Sequence, residues 1–429
     1  MWSLGFKTIQ ELETSEGILA SSKTEIYGCV FGRDSLISAL KFIRVYEKTH
    51  NPYFLGLTKK ILVSLAHLQG IEVNIESGEE PGKCIHEFRP DNHERLTKNA
   101  SNPWFVYTDG SMRNFDSVDA TPLFLIASYR YWQLSHDDEF LESYVKNIRK
   151  GLEWILAYGD TNDDGLIDYR LHPDRKYGGL TSQSWMDSSE VLFHEDGEPV
   201  LFPVAPVEVQ AYSYLALKLW STWYTDQDNN LAIQLQTRAQ WLKKIFQQKF
   251  IIRDGEQFSL AAAIDGNHKQ LTSARSSMGH CLWASMDMDN DGMIDSLLES
   301  EDIPKLVERL FESDMFAPNA GIRTLSRNSR MYAPNSYHNG SIWPHDNSMI
   351  AEGLERLGFV QEAIRVRKSL ISAIEHFNTP IELYVHDDTA FSEYTHNGQE
   401  AACKKQAWSA ASLLSAMCSV YPESVSTSQ

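Results

Sequence analysis

The stretch Tyr53-Phe-Leu-Gly-Leu-Thr-Lys-Lys-Ile-Leu-Val-Ser-Leu-Ala-His-Leu-Gln69 places Leu55, Leu57, Ile61, Leu62, Leu65, Ala66 and Leu68 on one face of a helix. Asn51-Pro52 opens it and Gly70 closes it, the residues expected at a helix start and stop. Working outward, residues 35–49 repeat the period through Leu36, Ala39, Leu40, Ile43 and Tyr46. The same spacing predicts helices over 120–133, 138–158, 206–226, 229–248 and 303–312, then 347–357, 359–376 and 405–420. Strand-like alternation is confined to short pieces such as 165–169 and 382–386. The chain reads as all-α, with about ten to twelve helices.

Three connections are long and rich in Gly, Asn, Asp and aromatics: 70–119, 172–205 and 314–346. Loops beyond about 15 residues are uncommon unless they serve a function. Long loops spaced through a helical chain imply a ring of helices with a binding site at one end. The 429 residues show no low-complexity linker, so one domain over 1–429 is the economical reading, with 423–429 fraying.

Composition narrows the partners. The formal charge is −19, a field that repels nucleic acid and anionic membrane and favours a neutral or cationic ligand. Eleven Trp and eighteen Tyr supply flat walls on which C–H-rich sugar faces pack, beyond those that fill the core. Cys29, Cys84, Cys281, Cys403 and Cys418 are odd in number and lack CxxC spacing, which argues for reduced thiols in a cytoplasmic setting. The N-terminus has no basic region followed by an apolar one, and no run reaches 18 apolar residues. A signal peptide and a membrane span are therefore not expected.

Two loops, Asp160-Thr-Asn-Asp-Asp-Gly-Leu-Ile-Asp168 and Asp287-Met-Asp-Asn-Asp-Gly-Met-Ile-Asp295, match the first half of a calcium loop. The twelfth position, which should be Glu, is Leu171 in one and Leu298 in the other. An Asp-Gly turn needs the same residues without metal. No cofactor is expected, with structural calcium at either loop as the alternative.

The chemistry gathers in five clusters. In Leu180-Thr-Ser-Gln-Ser-Trp-Met-Asp-Ser-Ser-Glu190, Trp185 precedes Asp187 among small hydrogen-bonding groups. A carboxyl beside an indole is partly desolvated, so it can hold a proton near neutral pH and serve as a general acid. The competing reading makes Asp187 a helix N-cap and Trp185 core. Phe31-Gly32-Arg33-Asp34-Ser35 offers a fixed carboxylate for vicinal hydroxyls, or a cap for the next helix. The others are 82–89 with His86, Glu87 and Arg89, continuing to Trp104 and 116–122 around Asp119; 336–347 with His338 and Trp343; and 380–409 with Glu382, Glu393 and Trp408.

Phe31–Ser35, Val118-Asp-Ala-Thr-Pro-Leu-Phe124, Gln183–Ser188, Tyr337–Asn347 and Cys403-Lys-Lys-Gln-Ala-Trp-Ser409 together resemble bacterial glycogen-debranching, amylo-α-1,6-glucosidase-type glycoside hydrolases. The matches are collinear and span nearly the whole chain. The resemblance implies an (α/α)6 toroid with its active site at one end. It places the general acid on Asp187 and the general base on Glu382, although Pro-Ile-Glu-Leu departs by one residue from the family's Pro-Glu-Leu. Glu393, in Phe-Ser-Glu-Tyr, is the fallback base. Arg33, Asp34, Trp185, Asp119, His338, Trp343 and Trp408 would bind substrate.

An inverting glycosidase sets its two carboxyls roughly 6.5–9.5 Å apart to admit a water. The expected activity is therefore exo-acting, inverting release of a terminal glucose from an α-linked oligosaccharide. The family's usual β-rich partner domain is not seen here, which favours short substrates. The alternatives are hydrolysis of glucosylglycerate, mannosylglycerate or sucrose on the same scaffold, and a non-catalytic carbohydrate-binding protein.

Overall fold

The computed structural model describes residues 1–255, 257–288 and 294–426. In chain order the helices are α1 (Trp2–Leu12), α2 (Gly32–Thr49), α3 (Pro52–His67), α4 (Glu94–Thr97), α5 (Ala120–Ser135), α6 (Asp138–Ala157) and α7 (Val207–Tyr224). They continue with α8 (Asn229–Lys249), α9 (His280–Trp283), α10 (Ile303–Leu310), α11 (Pro344–Arg356), α12 (Val360–Phe377), α13 (Ala407–Val420) and α14 (Pro422–Ser426). Part of the segment expected to fray is thus helical, and Val425 is buried there.

Helix α2 packs on α5, α5 on α7, α7 on α9, α9 on α11, α11 on α13, and α13 back on α2. That closes an inner ring. The outer layer follows the chain: α1 lies on α13, α3 on α2, α6 on α5, α8 on α7 and α12 on α11. The expected all-α (α/α)6 toroid is the fold observed.

The two layers differ in how they bury their residues. Outer α12 buries one stripe, Ala363, Val366, Leu370, Ala373 and Ile374, the amphipathic pattern of a helix with one wet face. Inner α2 is buried at every position from Gly32 to Ile43, polar residues included. The outer helices α3, α6 and α8 are capped by Asn51, Asp137 and Asp228, which accept from the N–H groups of Tyr53, Phe140 and Leu231. None of the six inner helices has a side-chain cap. Their first-turn N–H groups, the positive ends of the helix dipoles, are left to the loops around them.

The long loops fold into short antiparallel pieces over that end of the ring. Val30–Phe31, Glu87–Arg89 and Met112–Asn114 form a three-stranded sheet in which Phe31 pairs with Glu87 and Glu87 with Asn114. Gly32 donates its N–H to His86 O at 2.9 Å, and a Cβ at Gly32 would lie 2.0 Å from Ile85 O. Only glycine lets α2 start this close to the His86 strand. The segment 384–386 is the strand Tyr384–His386, whereas 165–169 makes only an isolated bridge from Tyr169 to Val204. All five cysteines are buried and free.

Candidate active site

Side chains from the uncapped ends converge on a cavity of about 220 Å³. Arg33 and Asp34 come from the first turn of α2, and Trp185 and Asp187 from the loop after α6. Tyr337, His338 and Trp343 precede α11; Glu382 follows α12; Gln406 and Trp408 open α13. One cavity thus brings Asp187 and Glu382 together with Arg33, Asp34, Trp185, His338, Trp343 and Trp408. Tyr27, Phe31, His86, Glu87, Arg89, Arg95 and Trp104 are also on its lining.

Arg33 organises the floor. Its Nε donates to Asp119 Oδ2 at 2.6 Å, its Nη1 to Asp187 Oδ2 at 3.0 Å, and its Nη2 is buried without a partner among the described residues. Asp119, expected to bind substrate, is fully buried behind Arg33 and is fixed from its other side by Ser117 Oγ at 2.6 Å. It aims the guanidinium and does not line the cavity.

Trp185 is held by rings on several sides. It stacks on His280 (centroids 5.8 Å apart, 21° between planes) and meets His338, Trp343 and His345 edge-on at 5.6, 5.9 and 5.0 Å. His280 is itself tied between Tyr212 OH at 2.5 Å and Asp346 Oδ1 at 2.8 Å. Ser188 Oγ and His338 Nδ1 lie 2.8 Å apart. No α-helix starts at Asp187: only the short 3-10 turn Ser189–Val191 follows, without a side-chain cap. Asp34 likewise sits inside the first turn of α2, which begins after Phe31, and does not cap it.

Glu382 has a donor on each oxygen. Tyr337 OH donates to Oε1 at 2.5 Å and the Cys403 N–H to Oε2 at 2.8 Å. Tyr337 OH also reaches Tyr27 OH at 3.2 Å. Glu393 is elsewhere: it pairs with Lys404, stands opposite Tyr384 in the hairpin register, and does not line the cavity.

Burial lifts three carboxyls. Asp187 is pushed up to about 6, with Arg33 pulling the other way; Glu382 to about 7, against Tyr337 and Cys403; and Asp34 to about 8, against Arg33. The Asp187 charge also raises Glu382, which is therefore the later of the two to lose its proton. Burial holds His86 and His338 well below the usual imidazole range, so both are neutral.

Several polar atoms on cavity-lining residues are buried with no partner among the described residues: Arg33 Nη2, His86 Nδ1, Trp185 Nε1, Gln406 Oε1 and Trp408 Nε1. Orphaned buried polar atoms are rare in native proteins, and here five of those among the described residues fall on residues that line one cavity. Tyr27, Tyr337 and Arg95 join the site without having been expected from sequence. Tyr337 stands inside the Tyr337–Asn347 motif, but only the fold shows that its hydroxyl meets Glu382.

Carboxylate oxygens of Asp160, Asp164 and Asp168 lie within 4.8 Å of one another, so these residues could hold a cation. Asp160 already accepts from the N–H groups of Asp164 and Gly165, as an Asp-Gly turn requires. Of the second loop, Asp287–Asp295, residues 289–293 lie outside the described residues.

No helix among the described residues is long and apolar enough to cross a membrane. No curated protein matches the chain in sequence. The fold is that of solved glycosidases. The GH63 mannosylglycerate hydrolase from Thermus thermophilus in complex with Tris is 14% identical, with TM-score 0.64 over 96% of this chain and 99% of that one. A structure of the same enzyme with glucose gives TM-score 0.64 at 14% identity, over 96% and 98%. A wild-type glycosidase gives 0.62 at 12% identity, over 97% and 96%. The matching family model spans residues 105–409 and is that of the mannosylglycerate hydrolase MGH1-like glycoside hydrolase domain, so the debranching type specifically is not supported. With that match across most of its length, the chain belongs to the mannosylglycerate hydrolase MGH1-like glycoside hydrolase family.

Proposed function

We propose that this glycoside hydrolase is exo-acting and inverting, removing one sugar from a small glycoside whose leaving group carries a carboxylate, with Asp187 as acid and Glu382 as base. The observation that carries the reading is the meeting of these two carboxyls on one cavity. A space of about 220 Å³ suits one sugar ring and little more. Asp187 leaves Oδ1 free for the glycosidic oxygen, because Arg33 holds only Oδ2. The two donors on Glu382 favour its ionised form, the form that accepts a proton from water. The assignment needs the proton to stand on Asp187, next to the leaving oxygen, once substrate has displaced solvent. Trp185, Trp343 and Trp408 would face the sugar's C–H surfaces, while Arg33, Asp34 and His338 hold it in place.

The anionic leaving group follows from Arg95 on the same lining, since Arg89 beside it is already paired with Glu87. Arg95 is exposed and makes no ion pair among the described residues, so it is available to a glycerate-like carboxylate. Mannosylglycerate and glucosylglycerate are thus favoured over sucrose. A short α-linked glucoside, α-1,6 included, is the second reading, favoured by the debranching-type run Val118–Phe124. The reaction draws on side chains alone, with no cofactor, and five buried free thiols fit a cytoplasmic setting.

A substrate panel followed by NMR tests all of this. Turnover of a glycosylglycerate, with the first-formed anomer inverted, is the expected result. Preferential turnover of isomaltose-type substrates would favour the second reading. Calorimetric sugar binding with no turnover of any substrate would make the protein a carbohydrate-binding module.

A further inference from the structure

The opposite end of the inner ring holds a second cavity, about 210 Å³, built from the C-terminal turns of the same helices that open onto the active site. Arg44 comes from α2, Arg130 from α5 and Arg356 from α11; Leu215 and Leu219 of α7 and Trp283 of α9 supply apolar wall.

Most charges there are matched. Arg44 Nη2 lies 2.6 Å from Glu355 Oε2, and Arg130 Nη2 lies 2.6 Å from Glu47 Oε1. Arg356 is different. It has no carboxylate partner among the described residues, and its Nη1 alone is used, donating to the carbonyls of Trp283 at 2.5 Å and Ser285 at 2.7 Å. Those bonds tie down the end of α9, a task one nitrogen performs. The other guanidinium edge, Nε and Nη2, makes no hydrogen bond among the described residues, and the side chain is solvent-accessible. The charges of Arg130 and Arg44 act on it repulsively and those of Glu352 and Glu47 attractively, so three cations and three carboxylates among the described residues share the space. Glu47, Glu352 and Glu355 on the same lining are each paired, with Arg130, Lys41 and Arg44, which leaves Arg356 as the lining cation with an unengaged edge.

We propose that the far-end cavity is a binding site for a small organic anion, a carboxylate or phosphate on a compact apolar body, with Arg356 as its principal ligand. A planar anion pairs with the free edge of the guanidinium, and the body lies between Leu215, Leu219 and Trp283. The occupant would touch α2 and α11, whose opposite ends carry Arg33 and the Trp343 wall. The site is independent of which sugar the active site takes.

Calorimetry on the full chain with benzoate, phenyl phosphate and inorganic phosphate tests it, the first two separating carboxylate from phosphate recognition. The expected result is one-to-one binding of benzoate or phenyl phosphate, about ten-fold weaker in Arg356→Gln and unaltered in Asp187→Asn. Leu215→Trp, which fills the cavity without touching a charge, should also abolish binding. Absence of binding by both aromatic anions, equal binding of inorganic phosphate, or affinity unaltered by both Arg356→Gln and Leu215→Trp would overturn the proposal.

Discussion

Where the inner helices begin, buried carboxyls outnumber the guanidinium that faces them; where the same helices stop, guanidiniums crowd around carboxylates that are already paired. Asp34 at an N-terminus and Arg356 at a C-terminus sit where the helix dipoles favour them, whereas Arg33 and the far-end glutamates sit against them. Dipoles alone do not separate the two ends, because their partners differ. At the far end Lys41 Nζ lies 2.9 Å from Glu352 Oε1, and Glu352 also accepts from Trp283 Nε1 and Ser415 Oγ. Its carboxyl is held below the usual range despite burial, chiefly by Lys41. At the active end Arg33 is divided between Asp119 and Asp187, and Asp34 and Glu382 have no ion-pair partner among the described residues. Complete pairing fixes charge; incomplete pairing leaves it free to titrate, which is what acid–base catalysis needs.

The hardest test of that contrast is removal of the titrating groups. Asp187→Asn and Glu382→Gln should each lower kcat by about 10²–10⁴-fold or more with the fold intact, as acid–base contributions do elsewhere. Glu393→Gln should stay near normal; an inactive Glu393→Gln beside an active Glu382→Gln would reverse the assignment of the base. At the paired end, Lys41→Met should cost about 3–5 kcal/mol of stability by stranding Glu352, read from denaturant unfolding. Activity per folded molecule should not change.

The pH profile sharpens the comparison further. With Asp187 near 6 and Glu382 near 7, kcat/KM should peak between those values. It falls at lower pH as the pair takes a second proton and the base is lost, and at higher pH as the last proton leaves and the acid is lost. Tyr337→Phe removes a donor to ionised Glu382, so the pair should hold its protons to higher pH and the profile should shift alkaline. An unshifted profile would mean that the hydroxyl does not govern the carboxyl. The smallest effect belongs to Arg44→Ala, whose partly exposed pairs should contribute no more than about 1 kcal/mol.

Much of this is legible in the sequence, and the losses have physical reasons. Period-3.6 stripes locate α3, α6, α8 and α12 to within a few residues because those helices have one wet face. Residues 280–283 give no signal, since four residues cannot display a period. Residues 2–12 give a weak one, because Gly5 and Lys7 interrupt a short apolar run. Asp187 can be singled out because Trp185 and small hydrogen-bonding residues surround it, whereas Glu382 is named only through the family resemblance. Choosing between Glu382 and Glu393 requires the hairpin register, which turns Glu393 toward Lys404. Asp119 looks like a ligand because a carboxylate at a helix start gives the same signal whether it faces a sugar or a guanidinium. The far-end cavity is invisible, because Arg44, Arg130 and Arg356 each read as an ordinary residue on a solvated helix.

The division of Arg33 between two carboxylates has a consequence for inhibitors. Among the described residues Arg33 alone answers the acids Asp34, Asp187 and Glu382, while Arg95 stands on the exposed part of the lining. The buried part of the cavity therefore attracts a protonated amine placed where the ring's anomeric centre would lie. Iminosugars should therefore compete better than neutral sugars of the same shape, and assays run in amine buffers should underestimate the enzyme.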